Sequence, residues 1–319
     1  MKTSAKIALG LAATAAVGTL SSFVTTKCLV DTALDRSMPK IMKRSKKAIS
    51  GSKKKTTDKY REMRKEAEER FASLESEAVR ITAFDGTKLV GHLMRVENPK
   101  RLIIAVHGWR STPAHDFAFV SEFWRREGCD VLFIEQRGQG DSGGEYMGFG
   151  LTERYDCLSW AEWAAKETGL PIYLSGVSMG GATVLMASDL WLPSNVRGII
   201  ADCGFTSPDA IWRYVVSNNL HLGFRLKSLI ANSLCKRKLG VGSSSCKTTD
   251  SLKRAKVPVL FIHGSDDKLV PVSMTYENYK ACSKEKRLLI VPGAGHGMSC
   301  YVEPESYEKA VRGFWEEFH

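Results

Sequence analysis

Pro171-Ile172-Tyr173-Leu174-Ser175-Gly176-Val177-Ser178-Met179-Gly180-Gly181-Ala182-Thr183-Val184-Leu185-Met186-Ala187 is the stretch from which the rest of the chain is read. It begins as an apolar, strand-like run. It then turns through Gly-x-Ser-x-Gly and continues as a helix of small residues. Strand, sharp turn and helix in that order form a nucleophile elbow. The flanking glycines keep Cβ atoms out of a crowded bend. The turn lifts the Ser178 hydroxyl above the sheet edge and places the Met179 N–H at a helix N-terminus, where developing negative charge is stabilised. A Gly-Ser turn of this form also arises by chance, so its partners decide the reading.

A serine hydroxyl is a weak nucleophile at neutral pH and needs a base, which in turn needs an orienting carboxylate. Downstream, Val257–Ile262 reads as a buried strand running into His263-Gly264-Ser265-Asp266-Asp267-Lys268-Leu269-Val270-Pro271. An acid on such a loop sits at the carboxyl edge of a parallel sheet. Asp267 is favoured over Asp266, which reads as a turn-forming neighbour. A second strand, Leu288–Val291, runs into Pro292-Gly293-Ala294-Gly295-His296-Gly297. Of the seven histidines, only His296 lies both downstream of the acid and at a strand-end loop. His92 falls inside a strand, His115 and His221 in surface stretches, and His319 at the end of the chain. His263 reads as a structural histidine fixing the turn beneath Asp267.

A second backbone donor is expected after the strand Leu102–Val106, which ends in His107-Gly108-Trp109-Arg110. Gly108 permits close approach, and the Trp109 N–H is the candidate. Another strand, Val131–Glu135, leads into Gln136-Arg137-Gly138-Gln139-Gly140-Asp141-Ser142. The spacing matches neither a P-loop nor a dinucleotide fingerprint. The loop therefore reads as structural, with Arg137 bracing its neighbours through its fork of donors.

Taken together, His107-Gly108-Trp109, Arg137 to Ser142, Gly176 to Gly180, His263 to Pro271 and Gly295-His296-Gly297 resemble the α/β-hydrolase family of serine hydrolases, over about residues 76–319. Ala201–Pro208 is similar to a bacterial, membrane-anchored branch with dienelactone-hydrolase-like and peptidase-like relatives. The resemblance implies Ser178 as nucleophile, His296 as base and Asp267 as orienting acid, with the Met179 and Trp109 N–H groups as the oxyanion hole. It implies a carboxylic ester or related acyl bond as substrate, with a peptidase, a thioesterase, a lipid acylhydrolase or a catalytically silent membrane-tethered scaffold as alternatives, and neither a cofactor nor a metal. Glu135 stands where many relatives carry Asp, at a position that is not catalytic.

The expected fold is α/β: a mostly parallel eight-stranded sheet with helices on both faces. Residues 76–83 and 87–95 read as an antiparallel pair, followed by strands near 101–106, 131–135, 171–175, 197–202, 257–262 and 286–291. Helices fit near 117–127, 152–167, 179–190, 272–282 and 304–317. About residues 205–255 are too long for a simple crossover and read either as a helical cap roofing Ser178 or as extra helices packed on the core.

The first 75 residues differ in kind. Ile7 to Val24 is an apolar run behind Lys2 and Lys6. It is close to the lower length for spanning a bilayer. Residues 1–26 are read as an uncleaved anchor, with a cleaved signal peptide as the alternative. Residues 27–75 are read as a basic helical linker. Residues 36–70 carry fourteen Lys and Arg against five Asp and Glu, a net of +9 within a chain of +11. The basic character thus belongs to this stretch rather than to residues 76–319, which argues against a nucleic-acid-binding enzyme and for anionic headgroups. The basic flank follows the run, which favours a catalytic domain on the cytoplasmic face over an exported one. The eight cysteines are scattered without metal-ligand spacing.

Overall fold

The computed structural model describes residues 21–37, 56–220, 223 and 225–319. Eight strands form one sheet in the order β1-β2-β4-β3-β5-β6-β7-β8. They are β1 (Glu77–Thr82), β2 (Lys88–Met94), β3 (Arg101–Val106), β4 (Cys129–Glu135), β5 (Ile172–Val177), β6 (Val196–Asp202), β7 (Val259–Gly264) and β8 (Lys286–Val291). β2 pairs antiparallel with β1 and with β4. Every other pairing is parallel. This is the α/β-hydrolase arrangement expected from the sequence, with each strand within about two residues of its expected span.

Successive strand side chains point to opposite faces, and the two cores follow from that alternation. Leu102, Ile104 and Val106 of β3 face one layer, which holds α4 (Glu153–Thr168) and α5 (Met179–Ala187). Ile103 and Ala105 face the other, with α3 (Pro113–Arg126) and α11 (Pro304–Glu317). Trp160 anchors the first face; Trp124 and Trp315 anchor the second, and all three are fully buried. Each fully buried Leu, Ile or Phe adds about 1.5–3 kcal/mol relative to exposure. A third apolar cluster lies above the carboxyl ends of the strands and includes Val30, Leu34, Phe149, Met179, Phe205 and Ile211.

Four helices stand between β6 and β8. They are α6 (Pro208–Tyr214), continued by a π-turn over Val215–Asn219, α7 (Arg225–Leu239), α8 (Thr248–Leu252) and α9 (Val272–Ala281). A short α10 (Ser299–Val302) precedes α11. The first two are the expected cap, and Ile211, Trp212, Val215 and Ala231 face the cavity over Ser178.

The structure departs from the reading of residues 27–75 as a linker. Residues 21–34 form a helix, α1, whose Val30 and Leu34 are buried against the third cluster. Helix α2 (Thr56–Ala72) lies against α3. Tyr60, Met63, Ala67 and Phe71 repeat at helical spacing along its packed side, Leu74 joins them just past its end, and the Phe71 ring meets Phe133 edge-on at 5.0 Å. Arg70 donates to Glu122 at 2.6 Å. Surrounding charge hides this stripe in the sequence. The expected anchor over residues 1–26 lies mostly outside the described residues, as do residues 38–55 and His221. Among the described residues, no helix is long and apolar enough to cross a membrane.

All eight cysteines are free thiols. Six are buried, and burial pushes the thiols of Cys157 and Cys203 well above their ordinary range. They pack as small apolar groups.

Candidate active site

Ser178 sits between β5 and α5 with φ 57° and ψ −116°, a conformation a side chain seldom adopts. The surrounding glycines show why the chain accepts it. A Cβ on Gly180 would lie 1.8 Å from the Val106 carbonyl oxygen, and one on Gly176 would lie 2.2 Å from the Gly180 oxygen. Main chain fills the space where side chains would otherwise be. The Ser178 N–H donates to the Asp202 carbonyl at 2.9 Å, tying the elbow to β6.

Loops from three strand ends meet here. Ser178 Oγ lies 2.8 Å from His296 Nε2. His296 Nδ1 lies 2.7 Å from Asp267 Oδ2. With Nδ1 facing a carboxylate, it carries the ring proton, and Nε2 is free to accept from the serine hydroxyl. Asp267 is buried, and its Oδ1 accepts from the Leu269 and Val270 N–H groups at 2.8 and 2.9 Å. Burial alone would push its carboxyl up. The hydrogen bonds from His263, His296 and Val270 outweigh it and hold the group well below the usual carboxylate range. Asp266 is exposed and receives the Ser265 hydroxyl.

His263 lies under the turn, as expected. Its Nε2 donates toward Asp267 Oδ2 at 3.1 Å and the Val270 carbonyl at 3.0 Å, and its Nδ1 accepts from the Thr275 hydroxyl at 2.6 Å. His107 is buried, and burial pushes its imidazole toward the neutral form. Its Nδ1 donates to the Gly108 carbonyl at 2.8 Å, while the Gly108 N–H donates to Asp116 at 2.6 Å. This loop carries Trp109 to the cavity that Ser178 and Met179 also border. Arg137 braces as anticipated, donating to both Asp156 oxygens at 2.6 Å and to Asp85 at 2.8 Å. Glu135 holds His92 at 3.1 Å and accepts from the Asp141 N–H.

The cavity above Ser178 has a volume of about 300 Å³. Its walls are almost wholly apolar. Among the described residues that border it none is acidic, and Lys227 is the one cation. Cys203, Asp267 and His296 bring potential ligand atoms within 4.8 Å of one another. The imidazole and carboxylate there already bond to each other, and the thiol is held protonated by burial, so this group does not fit a metal centre.

Two features escaped the sequence. Asp202 lies behind the site, and burial pushes its carboxyl up to about 6. Its Oδ1 accepts from Ser299 at 3.3 Å. The second is α1, which supplies Thr26, Leu29, Val30 and Ala33 to the cavity. Their i, i+3, i+4, i+7 spacing was the available signal.

Comparison with known proteins places the chain among relatives. The family model described as "Serine aminopeptidase, S33" matches residues 97–245, which contain Trp109, Ser178 and Met179. The match stops short of Asp267 and His296. The uncharacterized protein YqkD of Bacillus subtilis is 28% identical over 258 residues, covering 79% of this chain and 83% of its own. Among solved structures, the Pyrococcus furiosus esterase Pf2001 superposes with a TM-score of 0.63 at 24% identity, over 78% of this chain and 93% of that one. Est1E from Butyrivibrio proteoclasticus, solved with ferulic acid bound, superposes with a TM-score of 0.60 at 22% identity, over 76% and 99%.

Proposed function

We propose that this chain, which has the α/β-hydrolase fold, is a member of that superfamily and a serine esterase that cleaves a carboxylic ester with an apolar acyl group through an acyl-enzyme. His296 Nε2 takes the Ser178 proton as Oγ attacks the ester carbonyl. The Met179 and Trp109 N–H groups hold the oxyanion. The tetrahedral adduct collapses, His296 gives its proton to the leaving alcohol, and the acyl group stays on Ser178. Water then attacks the acyl carbon, with His296 as base, and releases the acid. Asp267 holds the imidazole tautomer and stabilises its cationic form without taking the proton.

The observation that carries this reading is the Asp267–His296–Ser178 relay, at 2.7 and 2.8 Å, opening into an apolar cavity. The cavity also favours an ester over a peptide with a free N-terminus. An α-ammonium group buried there would find no acidic partner among the described lining residues, and an unpaired buried charge is costly. We further propose that the apolar segment within residues 1–26 tethers the enzyme to a membrane with its catalytic domain on the cytoplasmic face. The apolar run and the basic stretch after it support this.

The test is labelling by a fluorophosphonate together with hydrolysis of p-nitrophenyl butyrate. The wild-type protein should do both and Ser178→Ala neither. Undiminished hydrolysis by the variant would overturn the mechanism. Carbonate extraction of membranes tests the tether, since a protein released into the wash is not anchored.

A further inference from the structure

Helix α1 is not an accessory laid on the surface. Its Thr26, Leu29, Val30 and Ala33 form one wall of the cavity over Ser178. Ile211, Trp212 and Val216 of the cap also line it. The helix and the two residues after it are tied to the domain on several sides. The Trp109 indole donates to the Ala33 carbonyl at 2.8 Å. Arg110, with φ 51°, donates to the carbonyls of Thr32 at 2.9 Å, Arg36 at 3.0 Å and Asp35. The Met147 N–H donates to the Leu34 carbonyl at 2.7 Å, and Arg36 donates to the Ser142 carbonyl at 2.6 Å. Lys238 of the cap reaches Asp31 at 3.1 Å and also contacts Asp35. Carbonyls at the end of α1 are taken up by the loop that bears the Trp109 N–H, so the wall and the oxyanion loop are held in one register.

We propose that residues 21–37 are the acyl-length gauge of this enzyme and that the acyl group is a medium-length, unbranched aliphatic chain. This rests on the esterase reading above. Two dimensions support it. From Ala33, beside Trp109, to Thr26 the helix rises roughly 10 Å at 1.5 Å per residue. A cavity of about 300 Å³ is large enough for one chain of that length. The chain runs along α1, with its carbonyl near Ala33 and its tail toward Val30 and Thr26. Among the described lining residues none is acidic, Lys227 is the one cation, and the rest of the wall is almost wholly apolar.

The experiment uses the full chain and two readouts. One is kcat/KM across p-nitrophenyl esters from acetate to palmitate. The other is the labelling rate by alkyl fluorophosphonates of short and long chain, which reads the wall without requiring turnover. The wild-type profile should peak between about eight and ten carbons. Thr26→Phe and Val30→Phe should each lower the decanoate-to-acetate ratio at least tenfold. Leu29→Ala, which opens the wall, should move the peak to longer chains. These opposite directions separate a gauge from general damage. A ratio that stays within twofold of wild type in all three variants, or a wild-type peak at acetate, overturns the proposal. If no ester is cleaved, the esterase reading fails while the phosphonate series still reads the wall. A phosphonate series insensitive to chain length overturns the gauge.

Discussion

The floor and the roof of the cavity are built by different means. The floor is main chain. Ser178, Asp267 and His296 each stand on a loop just past a strand, and glycines around the elbow let backbone approach backbone where no Cβ fits. The roof is side chains. Its apolar residues come from α1, from the loop carrying Phe149, and from α6 and α7. A surface made from backbone contacts has one solution, so the chemistry it carries is all or none. A surface made from side chains can change by a methyl group, so it sets preference by degrees.

That contrast can be broken at several points. The largest effect is on the floor: Ser178→Ala should reduce kcat on the order of 10⁶-fold while leaving the melting temperature close to wild type. Asp267→Asn should cost about 10⁴-fold, because the amide favours the wrong imidazole tautomer. Far-ultraviolet circular dichroism should show the fold retained. Gly180→Ala introduces an atom against the Val106 oxygen and should lower stability by about 3 kcal/mol or more, read as a fall in the denaturant midpoint. A floor that accepts this alanine without loss would contradict the backbone account.

Much of the floor was legible because each part announces itself locally. Gly-Val-Ser-Met-Gly sits between a strand and a helix, and His296 stands in a glycine-rich strand end. Asp267 was favoured over Asp266 because the loop matches His-Gly-x-x-Asp-x-x-Val-Pro, and the structure has Asp267 turned inward. The roof was legible only in part. The cap showed itself as a gap too long for a crossover. Helix α1 did not, because its apolar stripe follows directly on an apolar run and looks like its continuation. What faces that stripe comes from Trp109, Phe149 and the cap, more than 70 residues away. No local pattern records such a meeting. Helix α2 was recognised as helical but not as packed, since Ala67 and Phe71 stand among eight charged residues between Arg61 and Arg70.

Two smaller effects sharpen the comparison. Asp202 is buried beneath the floor, and its carboxyl is pushed up to about 6 by burial. Between about pH 4 and 6 the folded chain keeps a proton that the unfolded chain has lost, so stability falls as pH rises through that window. The contribution is up to about 3 kcal/mol. Asp202→Asn should flatten the dependence of melting temperature on pH over that range. The smallest effect is at the seam between floor and roof. Trp109→Phe keeps the backbone N–H but removes the indole bond to the Ala33 carbonyl. A net loss of about 1 kcal/mol corresponds to roughly fivefold in kcat/KM, greatest for the longer esters.

The docking of residues 21–37 has a practical consequence. Anyone seeking a more tractable protein would trim the chain to begin near residue 76 and so discard the basic stretch and everything before it. That shortened form would keep Ser178, Asp267 and His296, yet present an open trough where residues 26–33 now wall the cavity. Substrate preferences measured on it would describe the trough, and an inhibitor optimised against it would be fitted to a shape the longer chain does not offer.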